Sequence, residues 1–213
     1  LQRTHGVDVA LLEPAELRQR FDWLRTDDLA LASLGLSGEG WFDGYGLLQA
    51  WRAQARAQGV RYVHAEVTGF EGKTDGGPYT ILRSQLSNGE HLAADVFVNA
   101  AGPWARRVAA WAGIDLPVVA RRRTVFSVTC PAPLPGCPLL IDTSGIWLRP
   151  EGRGFITGFA PPEGDDADDL PLDQPDLAAF EDFVWPTLAE RIPAFEALRL
   201  QRAWAGYYEM NTF

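Results

Sequence analysis

The sequence predicts an α+β fold: a mostly antiparallel sheet with flanking helices, joined to a segment of strands and a helix. Three observations predict it. Turn chemistry at Ser87-Asn88-Gly89-Glu90 and at Pro150-Glu151-Gly152-Arg153-Gly154 separates short strand-like runs, the mark of β-hairpins. Helical spacing recurs over residues 14–21, 46–58 and 177–192. Finally, the apolar run Val96-Phe97-Val98 breaks at small residues, Ala100-Ala101-Gly102, and turns straight into a helix.

In chain order, Pro14 suits a helix start, and Leu17 and Phe21 follow at spacings of three and four. Residues 29–36 read as extended. Gly35-Leu36-Ser37-Gly38-Glu39-Gly40 has the wrong glycine spacing for a dinucleotide fingerprint and lacks the flanking glycines of a nucleophile elbow, so it reads as a turn. Asp43 can cap a helix over 46–58, with Leu47, Leu48, Trp51 and Ala55 toward the core and Gly59 as its stop. Residues 60–63 and 65–70 read as strand and turn. A hairpin follows over 79–86 and 91–94, with Asn88-Gly89 predicted as a type I′ turn.

Residues 96–98 read as a strand buried on both faces. Pro103 fits the first helical position, and the helix runs to Gly113. Such a turn lets a ligand approach the backbone, and a helix N-terminus favours phosphate. A tight turn packed on a neighbour explains the same spacing. Beyond Leu116-Pro117 the pattern is antiparallel β, with Phe126, Val128 and Cys130 on one face and a hairpin over 146–159. Arg121-Arg122-Arg123 reads as a solvated edge or a clamp for one anion. Seven acidic residues and two prolines between Glu163 and Asp176 read as a solvated loop. Pro186 bends or restarts the helix over 177–192, and 198–208 is the final strand.

A chain of 213 residues, 46% hydrophobic and 22% charged, is an ordinary globular composition that supports one domain or two small ones. A formal charge of −9 argues against nucleic acid or an anionic membrane as the main partner, and no apolar run is long enough to span a membrane. Cys130 and Cys137 match no zinc or thioredoxin-like pattern and read as free thiols in a reducing, cytoplasmic compartment. His5, His64 and His91 lack ligand spacing, so no metal is expected.

The segment Val98-Asn99-Ala100-Ala101-Gly102-Pro103-Trp104, preceded by Ala94-Asp95, resembles the internal flavin-contact segment of the D-amino acid oxidase superfamily of FAD-dependent oxidoreductases. Glu39-Gly40-Trp41-Phe42-Asp43, Glu66-Val67-Thr68-Gly69-Phe70 and Trp204-Ala205-Gly206-Tyr207-Tyr208-Glu209-Met210-Asn211-Thr212-Phe213 resemble its FAD-dependent oxidoreductase domain-containing branch, which is sarcosine- and glycine-oxidase-like.

The resemblance implies a substrate-side part over 1–42, a partial FAD-binding segment over 43–116, and a substrate-side sheet and helix over 117–213. It implies cofactor contacts from Val67, Ala100, Ala101, Gly102, Trp104 and Tyr207, and substrate contacts from Trp147, Arg149 and Tyr208. No catalytic residue is assigned. Tyr207 stands where sarcosine oxidases carry the cysteine that holds flavin, so FAD is expected to be noncovalent. The implied reaction oxidises the C–N bond of a small amine or of an N-substituted or D-amino acid, with hydride moving to flavin. The family's opening Gly-x-Gly-x-x-Gly motif is missing here. The chain is therefore expected to be an internal piece of a longer protein, without tight FAD binding or turnover alone. Self-association through a face bearing Trp23, Trp41 or Trp51 is a further expectation. The branch's link to respiratory-complex assembly implies an alternative, a non-catalytic binding or assembly module.

Overall fold

The computed structural model describes residues 2–74, 76–77 and 79–213. Its elements begin with β1 (Val9–Leu12), α1 (Pro14–Arg20), β2 (Ala32–Gly35) and α2 (Gly44–Ala57). Next come β3 (Val67–Lys73), β4 (Thr80–Leu86), β5 (His91–Ala93) and α3 (Ala105–Ala110). The remainder is β6 (Val118–Thr129), β7 (Leu140–Ile141), β8 (Trp147–Glu151), β9 (Gly154–Gly158), α4 (Trp185–Arg191) and β10 (Arg199–Asn211). Two compact units form: Leu1–Trp41 with Arg122–Gly206, and Phe42–Arg121 with Tyr207–Phe213.

In the first unit α1 starts where Pro14 predicts. Glu13 and Glu16 complete a reciprocal capping box, with the Glu13 N–H donating to Glu16 Oε2 at 2.9 Å. Leu17 and Phe21 are buried, as their spacing requires. β1 pairs antiparallel with β2, and a five-stranded sheet has the order β10-β6-β9-β8-β7. Alternation along β6 puts Phe126 and Val128 in the core, where they meet Ile146, Leu148, Val184, Leu188, Ile192 and Phe195. Edge-on aromatic packing joins sheet to helix, with the Phe155 and Phe195 ring centroids 5.3 Å apart.

The β8–β9 hairpin is tighter than its sequence suggests. Glu151 pairs with Gly154, leaving only Gly152 and Arg153 in the loop, and Gly152 supplies the positive φ of 59° that such a turn needs. Gly154 has a different role, because a Cβ there would lie 2.4 Å from the Val128 carbonyl oxygen. Gly154→Ala must therefore push β9 from β6, and we expect a loss of about 1–3 kcal/mol in urea unfolding.

Pro186 restarts the helix over 177–192, one of the two outcomes its position predicts: a π-helical turn, Phe180–Val184, leads into α4. The wide turn accommodates Pro186, whose ring would clash with the carbonyl four residues earlier in a regular helix. Arg121-Arg122-Arg123 is neither a solvated edge nor an open anion clamp. Arg123 is buried and makes a bidentate pair with Asp166 at 2.7 Å, and Arg122 donates to the Pro171 and Gln174 carbonyls at 3.2 and 2.6 Å. By the same contacts, the acidic segment is not simply solvated. Its Asp166 neutralises a buried guanidinium, and the Asp176 N–H donates to Thr124 Oγ1.

In the second unit Asp43 caps α2, accepting from the Gly46 N–H at 2.9 Å, and Gly59 ends it with a φ of 88°. The stripe predicted to face a core does not: no residue of α2 is buried, and Trp51 is 66% exposed. Periodicity reveals an apolar face but not what covers it. β3, β4 and β5 form an antiparallel sheet. The turn after β4 is not type I′, since Gly89 has positive φ and Asn88 does not. The Gly89 N–H donates to the Leu86 carbonyl, and the Leu86 N–H to the Glu90 carbonyl, giving a type I turn closed by a left-handed glycine. Asn88 Oδ1 accepts from the Glu90 N–H and holds that form. Residues 60–63 and 96–98 form no strand and have no ladder partners among the described residues, and Val96 and Val98 are exposed rather than buried on both faces. A strand reads as continuous apolar sequence only when other layers cover it, and here none does.

Candidate functional site

A cavity of about 980 Å³ opens in the second unit beside the small-residue turn. β3 supplies its floor through Val67 and Phe70, residues 97–101 run along one side, and Trp104 and Val108 close another. Phe70 fixes these parts together: its ring meets Phe97 at 5.7 Å and Trp111 at 5.9 Å, both edge-on. Asn99 shapes the turn itself. Its Oδ1 accepts from the Ala101 N–H at 3.2 Å and its Nδ2 donates to the Ala105 carbonyl at 2.9 Å. One side chain thus bridges the extended segment and α3. Gly102 takes the left-handed conformation at φ 54°, and a Cβ there would meet nothing within 4 Å.

The helix begins differently from its sequence reading. Pro103 lies in a 3₁₀ turn, Gly102–Trp104, and α3 has only six residues. Asn99 already holds the Ala101 N–H, so the turn does not offer the phosphate seat that a long helix would. Arg107, a cation on the cavity lining, is engaged by Glu66 at 2.9 Å. Neutral apolar walls, small residues and little free charge fit the flat ring systems of FAD; they do not fit its pyrophosphate.

The structure places Val67, Ala100, Ala101 and Trp104 on this one cavity, with Gly102 next in the turn. Tyr207 stands edge-on to Trp104, with centroids 5.9 Å apart and planes at 84°. Tyr208 follows Tyr207 on β10 and so points to the opposite face; it is exposed.

Trp147 and Arg149 belong to the first unit, two residues apart on the same face of β8. The Arg149 guanidinium lies 5.5 Å from the Trp41 ring centroid, donates to the Pro150 carbonyl at 3.0 Å and pairs with Glu151. Trp147 packs on Gly158, where a Cβ would come within 3.0 Å of the indole. Sequence reasoning gave no site role to Asn99, to the Glu66–Arg107 pair or to Trp41 as a partner of Arg149. Asn99 alone carried a signal, as an amide two residues before a small-residue turn.

Comparison with known proteins bears on the family and the fold. The family described as FAD dependent oxidoreductase (DAO) matches residues 1–212. FAD-dependent oxidoreductase domain-containing protein 1 of Xenopus laevis is 40% identical over 241 aligned positions, covering 100% of this chain and 48% of that protein. Mitochondrial dimethylglycine dehydrogenase of Rattus norvegicus is 32% identical over 160 positions, which cover 72% of this chain and 18% of that one. The chain spans about half the length of the domain-containing relatives it matches. Among solved structures, L-proline dehydrogenase from P. horikoshii superposes with a TM-score of 0.83 at 22% identity over 99% of this chain and 55% of that one. Glycine oxidase from Geobacillus kaustophilus gives 0.78 at 20%, over 99% and 54%. At those identities the likeness shows the fold. The matched family and the shared fold lead to one conclusion: the chain belongs to the D-amino acid oxidase family of FAD-dependent oxidoreductases.

Proposed function

We propose that this chain provides one wall of an FAD site and part of the substrate side of an oxidoreductase acting on the C–N bond of a small amine or of an N-substituted or D-amino acid. The observation that carries the reading is the gathering of Val67, Ala100, Ala101 and Trp104 on a single apolar cavity. FAD, when bound, supplies the two-electron acceptor for the oxidation. Ala100, Ala101 and Gly102 let it approach the backbone, while Trp104, backed by Tyr207, keeps water from it. With tyrosine at 207 and both cysteines free elsewhere, the cofactor is held noncovalently. In this reading residues 43–116 belong to the cofactor side, and residues 1–42 and 117–213 to the substrate side.

Arg149 is the group suited to a substrate carboxylate, because a planar guanidinium binds one bidentately. Substrate would take the place of Glu151, whose side chain is 55% exposed. Trp147, on the same face of β8, would add apolar contact. In the whole protein Arg149→Met should raise KM for a carboxylate substrate by about 10- to 100-fold and change kcat less. Free thiols at Cys130 and Cys137, the latter pushed up to about 11 by burial, suit a reducing compartment such as the cytoplasm.

The test compares this chain with the whole protein by visible flavin absorbance and FAD fluorescence. We expect the whole protein to bind FAD and to oxidise N-methyl or D-amino acids, and this chain alone to stay colourless, inactive and prone to self-association through its exposed aromatic residues. If the whole protein takes up no FAD, the oxidoreductase reading fails and a non-catalytic binding or assembly role replaces it.

A further inference from the structure

The polar side of α2 carries a feature unrelated to the flavin cavity. Arg52 and Arg56, one helical turn apart, both lie over the ring of Tyr62, at 5.4 and 5.2 Å from its centroid. Arg61 precedes that tyrosine in the chain. No side-chain hydrogen bond or ion pair engages any of the three arginines among the described residues. The surrounding sequence sharpens the contrast: between Asp43 and Glu66 there is no acidic residue, in a chain that has 28.

Two like charges at this spacing repel, and the usual remedy is an acidic side chain at the same spacing. Here both guanidinium groups rest over one aromatic ring instead, and that contact lowers the rotamer entropy a surface arginine loses on binding. Arg56 also sits in the last turn of α2, where the helix dipole tolerates a cation. The result is a pair of donor forks held over one ring without an acidic partner among the described residues.

We propose that Arg52 and Arg56, set on Tyr62, form a binding site for a phosphate-bearing anion. A phosphoryl group offers oxygens enough for both forks at once, whereas one carboxylate satisfies only one of them. The same chemistry is carried by soluble phosphates and by phospholipid headgroups.

Two probes separate those sources: inorganic pyrophosphate titrated calorimetrically, and sedimentation with phosphatidylglycerol vesicles. Either probe should bind saturably and weaken with added salt, since opposite charges at an exposed site are screened. The double variant R52Q/R56Q should weaken that binding by at least about tenfold, as expected when charge-assisted hydrogen bonds are lost. Arg153→Gln, an exposed arginine in the β8–β9 turn, should change binding less than about twofold, the mark of a merely local charge change. Pyrophosphate binding with that pattern identifies a soluble phosphate as the ligand type, and vesicle binding alone identifies a headgroup. Absence of binding to both probes, or an equal loss in Arg153→Gln, overturns the proposal. The site needs no flavin, so the result is independent of the oxidoreductase reading.

Discussion

Replacing Arg191 with alanine is expected to destabilise the protein by about 3–5 kcal/mol, the usual consequence of stripping a buried charge of its partner. Arg191 projects from α4 into a site where its side chain is 8% exposed. Its Nε donates to Asp142 Oδ1 at 2.6 Å, and Nη1 and Nη2 reach Asp28 at 2.7 and 2.8 Å. A further bond runs from Nη1 to the Arg25 carbonyl at 2.7 Å. One guanidinium thus ties the turn after α1 and the loop after β7 to the helix. Asp142 is only 6% exposed and would be left as a buried carboxylate without its cation. Arg191→Lys keeps the charge but cannot serve both carboxylates in the same planar geometry, so an intermediate loss is expected. Urea unfolding of the two variants measures both effects, and equal stability of Arg191→Ala and wild type would remove the triad from the account.

The same triad gives the protein an acid limit. Hydrogen bonding from Arg191 lowers the Asp28 carboxyl from 3.8 to about 2. At Asp142, burial pushes the carboxyl up, but hydrogen bonds from Ser144 and Arg191 outweigh it and the net direction is down. A carboxyl depressed in the folded state stabilises fully above its unfolded pKa, and that contribution fades as pH falls through the folded value. Stability should therefore decline from about pH 4 toward pH 2, and Asp28→Asn should flatten that decline.

Local sequence rules located what depends on near neighbours. Pro14, Asp43 and Gly59 mark helix ends because a cap acts on groups within one turn. The β8–β9 hairpin was visible through its glycines for the same reason. Arg191 and Asp28 stand 163 residues apart, and Arg123 and Asp166 stand 43 apart. No periodicity encodes such pairs, so the arginine run and the acidic loop each looked solvated when they neutralise one another. At the candidate site, the small residues were legible because their size is the point. The Asn99 clamp was not, since an amide reveals its partners only once the turn exists. Residues 96–98 and the α2 stripe failed differently: their patterns announce burial that the chain does not itself provide.

Ala101→Phe, made in the whole protein, is expected to weaken FAD binding by about 100-fold, or roughly 2.7 kcal/mol. Ala101 lines the cavity immediately before the 3₁₀ turn. Its φ of −83° and ψ of 9° are open to any L-residue, so phenylalanine introduces bulk without backbone strain. That bulk enters the space where the cofactor would meet the turn, and overfilling of this kind is not relieved when Asn99 fixes the segment at both ends. Gly102→Ala acts by the other route: at φ 54° a Cβ strains the backbone, although the space beside it is empty. It should cost about 1–2 kcal/mol of stability with a smaller effect on the cofactor. Ala110→Phe places the same side chain on the exposed end of α3 and should leave both quantities unchanged. Flavin titration and thermal unfolding of the three variants separate filled space from strain. Retention of wild-type FAD affinity by a folded Ala101→Phe protein would place the cofactor elsewhere.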